Sequence, residues 1–348
     1  VTDRHSPATI RDVARLAGVS TATVSRVLAG IGNPKPDTAA AVLGAVEELD
    51  YRPSGVARSL RMKRTRTLGL IVTDIQNPFF PELVQAADQA ARDLGYSIIL
   101  GSAAYDEHRA VEYLALMVDR RVDGLIVASS QVSEETWRWL SGSPVPVIVA
   151  NAEPSDRPIT VITSDNAGGG RIAAEHLVGL GHRKIAYIRG YEGFTADLPR
   201  IEGFRAVCRE AGIPAGDLVE IRGDAGFDGG ERAATELLAS RPDLTAIACH
   251  NDMTAIGAMA ALRRARVRVP ADVSIIGCDD ISAASWVVPA LTTVAQQKGE
   301  MGTLSVQHLA AALDDPDGTR EGETIRIPMF LRERESTGPA PAVGRTQD

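Results

Sequence analysis

A set of side chains with hydrogen-bonding or aromatic groups follows the ends of short apolar runs in the larger part of the sequence. The set is Asn77, Phe79, Phe80, Asn151, Arg200, Asn251, Asp252, Asp279, Asp280 and Gln296. Aromatic rings can cover the apolar face of a sugar ring, while amides, carboxylates and a guanidinium can bind its hydroxyl groups. Each residue alone is more simply explained as a solvated loop residue or a strand-end cap. Their shared placement favours a binding site.

Alternating apolar runs and helical segments predict the elements that carry this set. The apolar runs are 68–72, 97–100, 124–127 and 146–149, then 185–188, 218–221, 246–249 and 273–276. Helical segments separate them at 81–94, 107–119, 134–140, 168–180, 200–211, 229–239 and 253–265. Continuous apolar strands that alternate with helices are typical of parallel sheets covered on both faces. Two such groups predict two lobes, and the cleft at the carboxyl ends of their strands is the expected ligand site.

The N-terminal sequence has the pattern of two short helices joined by a tight turn. Apolar residues with helical spacing are Ile10, Val13, Ala14 and Ala17, followed by Val24, Val27 and Leu28. Thr9 and Asp12 are spaced as a capping box, and Ser20 can cap the second helix. Gly18 lies where the first helix must end in a left-handed turn. These features predict a helix-turn-helix, with an ordinary αα-hairpin as the alternative.

Charge is distributed unevenly along the chain. The net charge is −8, yet residues 1–66 contain eleven Lys and Arg against six Asp and Glu, which leaves −13 for the rest. A basic head on an acidic body favours an approach of the head to phosphate, although a solvated basic arm would give the same charge count.

A third helix is predicted at 37–49, and a short helical segment at 54–61 follows it.

Several classes of protein have little support in the sequence. No apolar run is long enough to span a bilayer, and the first residues show no apolar signal stretch. Cys208, Cys249 and Cys278 are scattered, which favours a reducing cytoplasm. His176, His182 and His250 have no metal-ligand spacing, and no nucleophile motif is present. We therefore expect that the protein is not an enzyme and that it has no metal site and no cofactor.

These features together resemble the lactose-repressor (LacI) family of bacterial regulators. The resemblance rests on residues 10–28, Tyr51-Arg52-Pro53 and 56–60, and it continues to about residue 335 through stretches such as Asn77-Pro78-Phe79-Phe80 and 273–280. It implies an all-α helix-turn-helix domain at 1–53, a hinge helix and linker at 54–66, and an effector-binding core at 67–335. That core is expected to be α/β, with two lobes of doubly wound parallel sheets similar to periplasmic sugar-binding proteins.

The lobes of this core are expected to comprise about 67–164 and 293–325 for lobe 1, and about 165–292 for lobe 2. The tail at 336–348 is polar and carries Pro339 and Pro341 without a leucine heptad. We expect it to be disordered and to form no tetramerising coiled coil.

The resemblance also assigns residues that contact DNA. It implies Thr21, Ala22 and Arg26 as readers of base edges, and Ser20, Thr23 and Ser25 as phosphate contacts. In the hinge it implies Leu60 as a minor-groove wedge and Ala57 as the small residue at a hinge–hinge contact. Two positions depart from the family pattern, because Lys35 replaces a serine cap and Ala39 replaces a common arginine.

In the core, the resemblance implies that the effector site is lined by Asn77, Phe79, Phe80, Arg200, Asn251, Asp279 and Gln296. Asn151, from the strand-end set, is expected there too. Two positions depart from the pattern: Ala225 lies where an aromatic platform is common, and Ala152 where a large or charged group is common. The pocket is therefore wider, or Phe227 supplies the stacking face instead.

The sequence thus predicts a cytoplasmic homodimeric repressor that binds a near-palindromic DNA operator and responds to a monosaccharide or its derivative. Two alternatives remain open at this point. One is a free solute-binding protein that delivers a sugar to a transporter, and the other is a family member that binds DNA only with a corepressor. An enzyme on the same fold is a more distant alternative.

Overall fold

The computed structural model describes residues 8–28, 32, 34–51, 64–191, 196–315 and 322–341. The chain divides into two compact units, one ending at Thr65 and the other beginning at Arg66. Most of the predicted linker at 54–66 lies outside the described residues.

The smaller unit contains three helices: α1 (Ile10–Leu16), α2 (Thr21–Leu28) and α3 (Pro36–Glu48). Its small core contains Val13, Val24 and Val42, one from each helix, and all three are fully buried. The helix α1 begins at a cap in which the Thr9 backbone N–H and hydroxyl donate to the same Asp12 carboxylate oxygen, at 2.9 and 2.7 Å. The predicted buried stripes therefore do form the contacts among these helices.

Lobe 1 of the larger unit is built on six parallel strands. They are β1 (Thr67–Val72), β2 (Ser97–Ser102), β3 (Gly124–Ala128), β4 (Val147–Ala150), β5 (Thr160–Ser164) and β11 (Thr324–Ile327), in the order β11-β5-β4-β3-β1-β2. The helices of this lobe are α4 (Phe79–Asp93), α5 (Glu107–Asp119), α6 (Glu134–Ser141) and α11 (Lys298–Asp314). Every residue of β3 is buried, since helices cover both faces of the sheet.

Lobe 2 repeats the architecture with one difference at its edge. Its strands are β6 (Ile185–Arg189), β7 (Leu218–Arg222), β8 (Ala246–Cys249), β9 (Ser274–Asp279), β10 (Thr292–Ala295) and β12 (Phe330–Arg332), in the order β12-β10-β9-β8-β6-β7. Only β12 runs antiparallel to its neighbour among these strands of the described chain. The helices are α7 (Asn166–Gly179), α8 (Asp197–Glu210), α9 (Phe227–Ser240) and α10 (Asp252–Arg264).

The predicted lobe boundaries differ from the structure after residue 292. Residues 293–295 belong to β10, which pairs with β9 and therefore lies in lobe 2 rather than lobe 1. The chain returns to lobe 1 through α11 and β11, and passes to lobe 2 once more through β12. It thus passes between the two sheets three times, after β5, after β10 and after β11.

The predicted disorder from residue 336 is wrong for residues 336–341. Ser336 is fully buried, and its hydroxyl accepts from the Thr292 N–H at 2.8 Å and donates to the Ile275 carbonyl at 2.6 Å. The Gly338 N–H donates to the Ser274 hydroxyl at 3.0 Å. Polar composition did not reveal this segment as structured, because its hydrogen-bond partners lie more than forty residues away in the sequence.

The paired helices of lobe 2 approach one another at glycines. A methyl group on Gly170 of α7 would overlap the carbonyl oxygen of Arg200 in α8, and one on Gly203 of α8 would overlap the carbonyl oxygen of Ala167. The same reciprocal arrangement joins α9 and α10 at Gly230 and Gly257. Because Gly170 touches the backbone of Arg200, this close approach also sets the position of a predicted ligand residue.

Replacing Gly203 with alanine should therefore force α7 and α8 apart and lower the free energy of unfolding by about 1–3 kcal/mol or more. The measurement is the urea midpoint followed by circular dichroism. The matched control is Gly179→Ala near the end of α7, where a methyl group meets open space. That control should be neutral or slightly stabilising, by up to roughly 1 kcal/mol. Equal midpoints for the two variants would contradict the packing described here.

Candidate functional sites

Side chains from both lobes meet at the carboxyl ends of the two parallel sheets. One cavity there is lined by Asn77, Phe79, Phe80, Tyr105, Ser130, Asn151, Ala196, Arg200, Asn251, Asp279 and Gln296. All of the residues that the sequence predicted to line the effector site are in this set. Tyr105, Ser130 and Ala196 were not predicted. We call this cavity the interlobe cleft.

Lobe 1 supplies the aromatic floor of the interlobe cleft from the start of α4. The rings of Phe79 and Phe80 meet edge to face, with centroids 5.2 Å apart and planes at 80°. The Asn77 side-chain oxygen accepts from the Phe79 N–H at 3.0 Å, which fixes the loop that enters the helix. Asn151, just after β4, has a left-handed backbone with φ of 62°, a conformation that asparagine tolerates better than most residues.

Lobe 2 supplies the charged residues. Arg200 on α8 is buried, and its guanidinium donates to the Asn166 side-chain oxygen at 2.7 Å and to the His250 carbonyl oxygen. Its Nε has no hydrogen-bond partner among the described residues. A buried guanidinium N–H that the protein leaves unpaired can donate to a ligand.

Asn251 and Asp279 close the lobe 2 side of the cleft. Asn251 caps α10 by accepting from the Thr254 N–H at 2.8 Å, and its amide donates to the Ala225 carbonyl at 2.9 Å. Asp279 ends β9 with a positive φ of 127°. The Asp279 carboxylate accepts from the Gln296 amide at 2.6 Å, while its backbone carbonyl accepts from Lys298 Nζ at 2.6 Å.

Gln296 joins the two lobes at one of the crossings. Its amide N–H donates to Asp279 in lobe 2, and its amide oxygen accepts from the Ser164 hydroxyl of lobe 1 at 2.6 Å. Ser164 and Gln296 both lie at points where the chain passes from one lobe to the other. A ligand that displaces the Gln296 side chain would therefore act directly on the connection between the lobes.

Two buried carboxyl groups at the cleft, those of Asp252 and Asp279, have raised pKa values. Asp252 is fully buried and accepts from the Thr293 hydroxyl at 2.5 Å and the Ile281 N–H at 2.9 Å. Burial raises the pKa of Asp252, and the charge of Asp279 raises it further. Burial likewise raises the pKa of Asp279, against the opposing effect of Arg200.

Two sequence predictions about the pocket wall are corrected by the structure. Phe227 lines a different surface groove, with Ile256, Met259 and Trp286, so it does not supply the stacking face. Ala152 is buried in the hydrophobic core of lobe 1 rather than at the cleft. The additional aromatic residue is Tyr105, three residues beyond β2 at the same edge of the sheet. Its position after a strand was the signal that could have identified it.

In the smaller unit, α2 presents one polar face. Thr21, Ala22 and Arg26 are exposed, whereas Val24 is buried against the other helices. The Ser20 hydroxyl caps α2 by accepting from the Thr23 N–H at 3.1 Å. Ser25 is partly exposed. The helix therefore offers short polar side chains and one arginine to a partner.

The two departures near α3 have a limited effect on its start. The Lys35 side chain makes no capping hydrogen bond, yet Pro36 occupies the first turn, where its fixed φ favours a helix. Ala39 is partly exposed in the same turn. The predicted hinge residues Ala57 and Leu60 lie outside the described residues.

Comparison with known proteins agrees with this architecture. The sequence matches the model of bacterial regulatory proteins of the lacI family over residues 9–54, and that of periplasmic binding protein-like domains over 174–337. The ribose operon repressor of Escherichia coli (strain K12) is 36% identical over 330 residues, 94% of this chain and 99% of that protein. The HTH-type transcriptional repressor PurR of Photobacterium profundum is 36% identical over 327 residues, 93% of this chain and 98% of that protein.

Solved structures give the same result. The lac repressor dimer bound to operator and the anti-inducer ONPF matches with a TM-score of 0.86 at 28% identity, covering 96% of this chain and 100% of that chain. A LacI family transcriptional regulator from Enterococcus faecium with bound ribose matches with a TM-score of 0.71 at 32% identity, covering 78% of this chain and 99% of that chain.

A helix-turn-helix unit followed by two doubly wound lobes defines a ligand-responsive DNA-binding protein. The chain belongs to the lacI family of bacterial regulatory proteins. It is a transcription repressor of that family rather than an enzyme, and it carries a periplasmic-binding-protein-like effector domain. None of the described helices combines the length and the apolar character that a bilayer crossing requires.

The buried Asp252 carboxyl predicts an unusual pH dependence. Its pKa in the folded protein lies above the ordinary 3.8, so the folded state keeps a proton that the unfolded state has already lost. The stability that this group contributes is therefore lost as the pH rises above the ordinary carboxyl pKa. We expect wild-type stability to fall relative to Asp252→Asn between pH 5 and pH 8, measured by urea unfolding.

The control for this titration is Asp243→Asn. Hydrogen bonds from Arg241 and Lys184 lower the pKa of Asp243, so its contribution is complete above the ordinary carboxyl pKa. The stability difference between wild type and this control should stay constant from pH 5 to pH 8. A constant difference for Asp252→Asn as well would show that the buried carboxyl does not titrate as described.

Proposed function

We propose that this repressor acts as a homodimer on a near-palindromic operator, and that a monosaccharide, most simply a pentose such as ribose, controls its DNA affinity by binding the interlobe cleft. The observation that carries the proposal is the convergence of Arg200, Asp279, Gln296 and the Phe79–Phe80 floor in one cavity. Carboxylate, amide and guanidinium groups beside two aromatic rings match the hydroxyls and the apolar face of a sugar ring.

The relatives support the choice of sugar. A family member with 32% identity is described with bound ribose, and the ribose operon repressor covers nearly the whole chain. The cleft of this chain also suits a small polyhydroxylated ligand, because several of its charged and amide side chains are held in place by hydrogen bonds to the protein. Asp279 is held by Gln296, and Asn251 by Thr254 and Ala225. A site that is organised before the ligand arrives loses less entropy on binding.

For DNA, we propose that α2 enters the major groove with Thr21, Ala22 and Arg26 toward the base edges. Ser20, which precedes α2, and Thr23 and Ser25 within it are proposed to contact phosphates. Arg26 can bind guanine O6 and N7 with two hydrogen bonds, a contact that discriminates by about 1–3 kcal/mol. The related lac repressor is described as a dimer bound to operator. A two-fold dimer places its reading helices in half-sites related by the same symmetry, so we expect the operator to be near-palindromic.

The link between the two activities is proposed to run through the lobe crossings. Gln296 contacts both Ser164 and Asp279, so a sugar that engages Gln296 changes the balance between open and closed lobes. Ala57 and Leu60 of the predicted hinge would transmit that change to DNA. Coupling of this kind is reciprocal, so operator DNA should change sugar affinity by the same factor. The repressor would act in the cytoplasm, where bacterial DNA is found.

Arg26→Ala should abolish the preference for the operator over random duplex while leaving ribose binding unchanged. A competition mobility-shift assay across a series of salt concentrations measures this preference. Arg11→Ala on α1 is the control: Arg11 is exposed and lies outside α2, so loss of its charge should lower affinity for all sequences alike and reduce the salt dependence. Undiminished operator preference in Arg26→Ala would refute the role proposed for α2.

Asp279→Asn should give a repressor that binds operator normally but no longer responds to ribose. Asparagine preserves the shape and tolerates a positive φ, whereas its amide cannot replace a carboxylate as a double acceptor. The measurements are ribose affinity by calorimetry and release of operator DNA in the presence of sugar. The control is Asp280→Asn, because the wild-type Asp280 carboxylate accepts a hydrogen bond from Arg334 instead. Normal ribose-dependent release by Asp279→Asn would place the effector elsewhere.

A further inference from the structure

Tyr105 lies on the loop between β2 and α5, and this loop has a constrained backbone. Ala104 and Tyr105 both have left-handed conformations, with φ of 52° and 61°, which are costly for residues other than glycine and asparagine. The Tyr105 N–H donates to the Thr73 carbonyl at 3.3 Å, and Asp106 then caps α5 through the Arg109 N–H at 3.1 Å. Hydrogen bonds at Tyr105 and at Asp106 thus hold the strained backbone, and this fixes the position of the Tyr105 ring.

Tyr105 lines two cavities. One is the interlobe cleft, and the other is a neighbouring cavity in lobe 1 whose lining includes Thr73, Val127, Ser129 and Thr136. Of the described residues that line the two cavities, Tyr105 is the one common to both. Tyr105 also remains 40% exposed.

A residue of lobe 2 also contacts this ring. Tyr191, which follows β6, meets Tyr105 edge to face with ring centroids 5.6 Å apart and planes at 89°. The Tyr191 hydroxyl donates to the Gln131 side-chain oxygen of lobe 1 at 2.8 Å. Both contacts cross from one lobe to the other, so the ring is pinned in place in the arrangement of lobes seen in this structure.

The hydroxyl end of Tyr105 lies beside the predicted sugar-binding groups. Burial raises the pKa of Tyr105 to about 12, and the nearby charge of Asp74 adds to that increase, whereas the Asn77 side chain opposes it. Like an unperturbed tyrosine, the phenol is neutral at physiological pH, so it can lie beside the carboxyl groups of the cleft. Tyr105 therefore contributes an uncharged ring next to Asn77.

We propose that Tyr105 is the size gate of the interlobe cleft: its ring separates the cleft from the neighbouring lobe 1 cavity and restricts the effector to a single sugar ring. The inference rests on the proposed function, because it takes the cleft to be the sugar site. Thr73 and Ser129 line the space behind the gate together with apolar residues such as Val127, so that space can take up either a polar or an apolar substituent once the ring is removed.

The test uses the full-length protein and three probes measured by calorimetry. The probes are D-ribose, uridine with a base on C1, and 5-O-benzyl-D-ribose with a bulky group on C5. Tyr105→Gly removes the ring and also relieves the left-handed backbone, so the variant should fold. Tyr105→Asn provides a second variant suited to that backbone, and Tyr105→Phe keeps the ring as the matched control.

The gate predicts that wild type and Tyr105→Phe bind ribose but exclude both derivatives. For at least one derivative, Tyr105→Gly and Tyr105→Asn should raise the ratio of derivative affinity to ribose affinity about tenfold or more over the wild-type ratio. The gate is overturned if folded Gly and Asn variants gain neither derivative, if Tyr105→Phe gains as much as they do, or if wild type binds a derivative as tightly as ribose. Failure of wild type and all variants to bind ribose would instead count against the proposed function.

Discussion

The burial of charged groups at the meeting point of the two sheets is the constraint on which the rest of the structure depends. Arg200 and Asp279 are each only 4% exposed, and an unpaired charge at such depth would cost several kcal/mol. Asn166 and the His250 carbonyl hold the guanidinium, while Gln296 holds the carboxylate. The chain must therefore bring distant segments to one edge, and a cleft with preformed polar groups results.

The same constraint explains why the cleft and the lobe connections coincide. The chain passes between the sheets three times, and Ser164 and Gln296 lie directly at two of these crossings. Close helix packing at Gly170 then fixes the backbone of Arg200. A ligand at this place would contact the residues that join the lobes, so binding and lobe movement would need no separate relay. The basic head, with net charge +5 over residues 1–66, is joined to an acidic body that should avoid DNA.

The C-terminal segment illustrates how pairing over long sequence distances overrides local composition. Residues 330–341 add an antiparallel strand to lobe 2, and the Ser336 hydroxyl then hydrogen-bonds both β9 and β10. His182 is fully buried and hydrogen-bonds the Thr245 and Ser274 hydroxyls and the Gly338 carbonyl. A polar segment next to two prolines has no local signal for such a role.

The sequence by itself determined the local elements, the helix-turn-helix and the residue types of the cleft. Amphipathic stripes and caps depend on neighbours within one or two turns, so segments such as 107–119 could be located from the sequence. Tertiary structure decided what depends on distant partners: the lobe that receives β10, the hydrogen bond between Asp279 and Gln296, and the position of Tyr105 beside Tyr191. These contacts join residues that sequence periodicity cannot relate, because only the folded sheets bring their strand ends to one edge.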